Sequence, residues 1–242
     1  MFGVIPICLD IFMPLNESRP RYLPAQLEYY FFDRNEYYTF TYMHFGIIGS
    51  YAVMLIVIND VGLFTFSRHA CAMFCVLRYR LKNINNNEDG ERIDDSNVHK
   101  IYKNIRSCAI LHDRILIFLE NTNSCFAMCL LFLICVTIII MSFNGSMIIL
   151  NMHDNTYLLR GVSVSMGQII HVFFNCFTGQ MVQSHSANMP NYIYDHEWYN
   201  SNHKIKMVIY FMILKSKTEC SLCVGKTAVL GLELFTTVSI SL

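Results

Sequence analysis

The sequence predicts an all-α integral membrane protein, a bundle of long helices crossing a bilayer. Composition is the first ground: 54% of residues are hydrophobic and 15% charged, and the mean hydropathy is +0.36. That is too apolar for an ordinary soluble domain of 242 residues. The placement of charge is the second. No Asp, Glu, Lys or Arg occurs in 37–59, 121–153 or 161–194, and each window exceeds the roughly 20 residues that a spanning helix needs. A large soluble core would break such runs with turns and charges. Formal net charge is zero, so nothing points to nucleic acid as a partner.

Residues 1–15, MFGVIPICLDIFMPL, lack the basic start and small-residue cleavage site of a signal peptide. They read as the outer end of a helix or as a frayed amphipathic start. The polar stretch 16–36 holds a glycosylation sequon at Asn16 and the aromatic cluster Tyr29-Tyr30-Phe31-Phe32. The first complete span is Tyr38–Phe66, entered through Tyr38, Phe40 and Tyr42, aromatics of the kind that anchor helices at headgroup depth. Asp60 falls near its other end, where reaching the interface costs little. The helical pattern continues to Lys82, because Ala70, Phe74, Leu77 and Leu81 keep one face.

The stretch 83–97 is polar and reads as a loop. Val98, Ile101, Ile105, Cys108, His112, Ile115 and Leu119 then alternate steps of three and four, a strong helix signal. This seam runs without a breaker into the second span, 124–150. One helix over 98–150 is about 80 Å long, so about 35 Å projects from the membrane. His112 on an apolar stripe reads as a packed histidine rather than a site.

The third span, Gly161 to Ser184, is interrupted by Ser163, Ser165, Gln168, His171, Asn175, Thr178 and Gln180. Such groups need partners in hydrocarbon, so this helix faces protein or a cavity. Ser165, Gln168, Ile169 and Val172 share a face near its outer half. Interhelical hydrogen bonding and the lining of a small-molecule cavity both fit them. Nine Lys or Arg in 67–114, against one in 151–160, put 67–114 in the cytoplasm and 16–36 and 151–160 outside.

The last quarter opens with a polar aromatic patch around Trp198 and Tyr199. The eight apolar residues 207–214 are too few to cross a bilayer. Residues 224–242 are apolar except for Lys226 and Glu233, and as one helix they reach roughly 28 Å. Lys226 and Glu233, seven apart, share a face of that helix. Cys220-x-x-Cys223 has no second pair to complete a metal site.

The order "HSANMPNYIYDHEWYN … MILKSKTEC … VGKTAVLGLELFTTVS" resembles the C-terminal end of the insect odorant receptors, and the resemblance continues upstream over essentially the whole chain. That family comprises seven-helix odorant-gated cation channels. The resemblance implies the C-terminal three-fifths of such a receptor, with about four to five of the seven helices. They are a stump of helix 3 at 1–15, helix 4 at 38–66 extending to 82, helix 5 at 98–150 and helix 6 at 161–184. A short cytoplasmic helix at 203–215 and a truncated pore helix 7 at 224–242 complete them, and the gate would lie beyond Leu242. It also implies an odorant pocket in the outer half of the bundle, drawing on Tyr42, Phe45, Ile48 and Gly49 together with Ser165, Gln168, Ile169 and Val172. Lys226, Glu233 and Thr237 would belong to the pore helix, and Ile101, Ile105, Trp198 and Tyr199 to a cytoplasmic anchor. The implied partners are a small volatile odorant, a shared co-receptor subunit in a heterotetramer, and the lipid bilayer of a sensory dendrite. No cofactor and no enzymatic activity are implied.

Three rival classes fit the sequence less well. A G-protein-coupled receptor would end in the cytoplasm, whereas the charge bias puts this C-terminus outside. A transporter would show internal repeats and ionisable residues at mid-depth. A gustatory receptor shares the topology, but the 215–220 and 232–237 regions look more like the odorant branch.

Overall fold

The computed structural model describes residues 38–84, 95–195, 202–218, 220–225 and 228–240. The expected helix stump at 1–15, the sequon at Asn16, and Trp198, Tyr199 and Lys226 lie outside them. The elements in chain order are α1 (Tyr38–Lys82), α2 (Asp95–Leu150), α3 (Asn155–Ala187), α4 (Met189–Tyr194), α5 (His203–Ser216), β1 (Cys223–Val224), β2 (Ala228–Val229) and α6 (Leu232–Ile240). The chain divides into two compact units, 1–59 and 60–242.

Among the described residues, three helices are long and apolar enough to cross a membrane, within Phe40–Lys82, Val98–Leu150 and Tyr157–Tyr194. Their most apolar windows are only 6%, 11% and 11% buried. Phe132, Phe143 and Ile149 stand about 70% exposed on α2. Water would not tolerate so much contiguous apolar surface, and a hydrocarbon solvent favours it. The chain is a membrane protein, and its α1 and α2 outrun the bilayer. At 56 residues, α2 is about 84 Å long.

In the first unit the described part is the first half of α1, which carries exposed Phe40, Met43, Ile47, Tyr51, Val53 and Met54. No proline interrupts it, and apolar side chains on all sides suit a helix in lipid.

In the second unit the core follows the helical period. On α1, Leu63, Ala70, Phe74, Leu77 and Leu81 are buried, including the whole stripe expected at 70–81. On α2 the seam is buried at Ile105, Cys108, His112, Ile115 and Leu119. The apolar ones among these residues form one cluster with Cys176 and Val182 of α3, Met189 and Ile193 of α4, and Ile205, Ile209 and Met212 of α5. Phe118 of α2 meets the edges of Phe66 and His69 on α1, and the Arg78 guanidinium lies 4.0 Å over the Tyr192 ring. α4 starts with Pro190 in its first turn, where a missing N–H costs nothing.

The continuous helix expected over 224–242 does not form. Cys223 pairs with Val229 and Val224 with Ala228 in a short antiparallel hairpin, and helix resumes only at Leu232. The physical reason is local. Gly225 takes φ +63°, a left-handed turn that interrupts a helix and suits glycine. Its N–H donates to the Ala127 carbonyl of α2 at 2.9 Å, so the loop is pinned to a neighbour instead of to its own next turn. Cys223 N–H donates to Asn123 Oδ1 at 2.7 Å, and Cys220 N–H to Ser186 Oγ at 2.9 Å. The Cys-x-x-Cys backbone thereby fastens the hairpin to α2 and α3.

The hairpin exit presses on α3 at Gly179. A Cβ there would stand 2.1 Å from the Leu230 carbonyl oxygen and 2.8 Å from its carbon. Backbone cannot move aside as a side chain can. Gly179→Ala should therefore lower stability by about 1–3 kcal/mol, read as a drop in the Tm of the purified protein. Gly167→Ala, with nothing within 4 Å, should leave Tm unchanged or raise it slightly, since alanine favours helix over glycine. Equal Tm for the two variants would contradict this packing.

Candidate functional site

The polar face of α3 meets its neighbours at two levels about 15 Å apart along the helix. At the first, Asn144 of α2 donates through Nδ2 to Ser165 Oγ and to the Gly161 carbonyl, both at 2.8 Å. One amide so closes the α2–α3 pair near the turn joining them. Gly161 is required for this approach, since its Cβ would fall 2.5 Å from Ile148 Cγ1.

At the second level, His171 Nε2 lies 2.9 Å from Asp60 Oδ2, and Asn175 Nδ2 donates to Asp60 Oδ1 at 3.2 Å. Asp60 and His171 are 13% and 20% exposed, and Asn175 is buried. Asp60 was expected to reach the interface; instead it turns into the bundle, because a histidine and an amide one turn apart on α3 offer it two donors. A carboxylate in hydrocarbon requires such partners. Val172, Asn175 and Cys176 line a narrow crevice with Leu130, Ile134 and Thr137 of α2. Phe64–Phe174 and Phe173–Phe235 ring pairs, both at 5.4 Å between centroids, flank this level.

The four candidate residues on α3 separate by role. Ser165 spends its oxygen on Asn144, Val172 is core, Gln168 is half-buried, and Ile169 faces outward at 39% exposure. Tyr42, Phe45 and Gly49 are half-buried at steps of three and four along the first half of α1, whereas Ile48 is 53% exposed. Glu233 and Thr237 are exposed on α6, where the Glu233 carbonyl accepts from both Thr236 and Thr237 hydroxyls. Among the described residues no group of three or more His, Cys, Asp or Glu could hold a metal.

Beyond the apolar spans, the seam carries the anchor candidates. Ile105 is fully buried and Ile101 half-buried against the chain's own helices, so this side of α2 is filled from within. α5 packs on α2 there, and Lys215 pairs with Asp113. Burial, and then the Lys215 charge, hold the His112 imidazole below the ordinary value of 6.5, with Asp113 opposing. A histidine kept neutral when folded binds a proton more readily when unfolded. Its contribution is therefore intact above about pH 6.5 and is lost as pH falls below it. Hydrogen exchange across 203–216 should accelerate as pH drops from about 7.5 to 5.5, after correction for intrinsic rates, and His112→Leu should remove most of that acceleration. Persistence of the full effect in His112→Leu would place the titrating group elsewhere.

Sequence reasoning missed the connected set Asp60, His171 and Asn175, and, at the other level, the partnership of Asn144 with Ser165. The available signal was chemical, an acid in one apolar helix and a histidine and amide four apart in another. Compared with known families, residues 1–240 match the family model described as 7tm Odorant receptor. No curated protein matches the chain.

Proposed function

Because this chain belongs to the 7tm odorant receptor family, we propose that it is an odorant-specific subunit of a ligand-gated cation channel. It works with a shared co-receptor subunit in the cell membrane of a sensory dendrite. The single observation supporting this beyond family membership is α3. It is apolar enough to span a bilayer, yet its polar side chains are met by Asn144 and Asp60 from two other helices. Small displacements of such a helix exchange one set of buried hydrogen bonds for another, which suits a protein with two discrete states.

The mechanism is population shift. A small, mostly apolar ligand favours the open arrangement only to the extent that it binds that arrangement more tightly. No bond is made or broken. The basic residues of 67–114 favour a cytoplasmic seam, which leaves Gln168 of α3 toward the outer side, from which an odorant arrives; Phe45 is tested separately, on the charge bias of its own span alone.

Co-expression with a co-receptor subunit and recording of odorant-evoked cation current tests this. Gln168→Leu and Phe45→Ala should each reorder potency across a panel of volatiles while surface expression stays at the parent level. A current whose odorant ranking survives both changes would move the pocket to other faces. A properly displayed complex that answers no volatile would remove the receptor-subunit reading.

A further inference from the structure

Past its apolar span α1 meets the end of α3 and α4 around an open cleft of about 220 Å³. Arg78, Ser184, His185, Asn188 and Tyr192 are among the residues that line it, and polar as well as apolar atoms face the space. Its walls are positive. Arg68, Arg78 and Lys82 fall on one face of α1, and no Asp or Glu occurs in 61–87 or 161–194. Among the described residues none of these three cations is paired with a carboxylate. The nearest acid in sequence, Asp195, follows Tyr192 by three residues and makes no ion pair with Arg78.

The Arg78 guanidinium lies 4.0 Å over the Tyr192 ring, and among the described residues its side chain donates no hydrogen bond. Engaged through its flat face, it keeps its fork of N–H donors for an oxyanion. The Tyr192 hydroxyl is likewise without a partner among the described residues. Asn188 donates through Nδ2 to the Ser184 carbonyl at 2.8 Å, which uses one of its two amide hydrogens. His185 Nδ1 donates to the Met181 carbonyl at 3.0 Å, and Nε2 is left unspent. Ser184 is the exception, since its hydroxyl hydrogen goes to the Gln180 carbonyl at 2.8 Å. A cation held in place by a ring, beside unspent polar groups on α3 and α4, calls for an anion with several acceptor oxygens.

We propose that this cleft binds a phosphate monoester, with Arg78 as its chief ligand. A monoester carries roughly two negative charges on three strong acceptor oxygens, which suits an arginine fork with further donors around it. Depth selects the monoester over the diester of an ordinary phospholipid. Arg78 lies ten residues, roughly 15 Å of helix, beyond Arg68, the first basic residue after the α1 span. The headgroup layer is only about 5–8 Å deep, so a lipid diester stops short of Arg78. A headgroup with monoesters at its far edge, such as a phosphorylated inositol, reaches it, and so does the same group free in solution. The cleft is also small, below the roughly 300 Å³ at which pockets for drug-sized ligands begin. This site rests on the membrane placement of α1 and α3 and holds whether or not the chain gates a current.

The test is binding of inositol trisphosphate to the receptor complex in phosphatidylcholine nanodiscs, followed by titration calorimetry. Saturable binding is expected. Arg78→Gln should weaken it by about tenfold or more, the loss of a charge-assisted fork. Arg80→Gln removes the same charge from the opposite side of α1 and should change affinity by less than about twofold. No binding would overturn the proposal, and so would equal weakening by the two variants, which marks diffuse surface charge. Should Arg78→Gln fail to assemble, hydrogen exchange on the parent complex carries the test. The trisphosphate should slow exchange within 184–195, and protection confined to other segments would refute the site. Nanodiscs that also contain phosphatidylinositol bisphosphate separate the two sources. Weaker binding of the soluble probe there assigns the cleft to a lipid headgroup, and unchanged binding assigns it to a soluble phosphate.

Discussion

A polar side chain inside hydrocarbon must find a partner within the protein, and α3 is the helix on which that constraint falls most heavily. Some of its groups are met by their own helix. Ser163 donates to the Leu159 carbonyl at 2.7 Å and Thr178 to the Phe174 carbonyl at 2.9 Å. The remainder reach outward, and each outward bond recruits another element. Ser165 draws in Asn144 of α2, while His171 and Asn175 draw in Asp60 of α1. Near its end Gln180 accepts the Leu232 N–H of α6 through Oε1 at 3.3 Å. Three neighbours are thus tied to one helix by groups that would be costly in lipid and are unremarkable in contact.

Apolar packing is organised differently. In the membrane windows the large aliphatic and aromatic side chains of α1 and α2 face outward, where lipid is as good a solvent as protein. Beyond them, where α1 and α2 continue into water, the burial pattern inverts to an ordinary core. There Leu77, Leu81, Ile105, Ile115, Ile209 and Met212 are all at most 3% exposed, and the hydrophobic effect operates as in a soluble bundle. The same two helices therefore serve two solvents. Polar bonds specify register in one and apolar burial supplies cohesion in the other.

This division explains what could be read from the residues in order. The three spans, their extensions and the seam at 98–119 follow from periodicity, a property of near neighbours; among the described residues long apolar helices cover those stretches, and the seam is buried at Ile105, Cys108, His112, Ile115 and Leu119. The stripe Ala70, Phe74, Leu77 and Leu81 is buried throughout. The Asp60–Asn175 bond joins residues 115 apart, and no local pattern carries that pairing. For the hairpin at 223–229, an apolar composition masked a backbone break that Gly225 and Gly231 had marked. Ser165 illustrates why a polar residue on a spanning helix admits two readings until its partner is located. Its hydroxyl serves Asn144, and Gln168, one turn on, remains the half-buried polar group of that face.

The direct Asp60–His171 contact holds α1 and α3 at one membrane level. A double-mutant cycle measures it, with Asp60→Asn, His171→Gln and the combined variant unfolded by denaturing detergent in bicelles. The contact predicts a coupling of about 1 kcal/mol or more, so the combined loss should fall short of the sum of the single losses. Strict additivity, with coupling indistinguishable from zero, would show that the two side chains do not meet in the membrane.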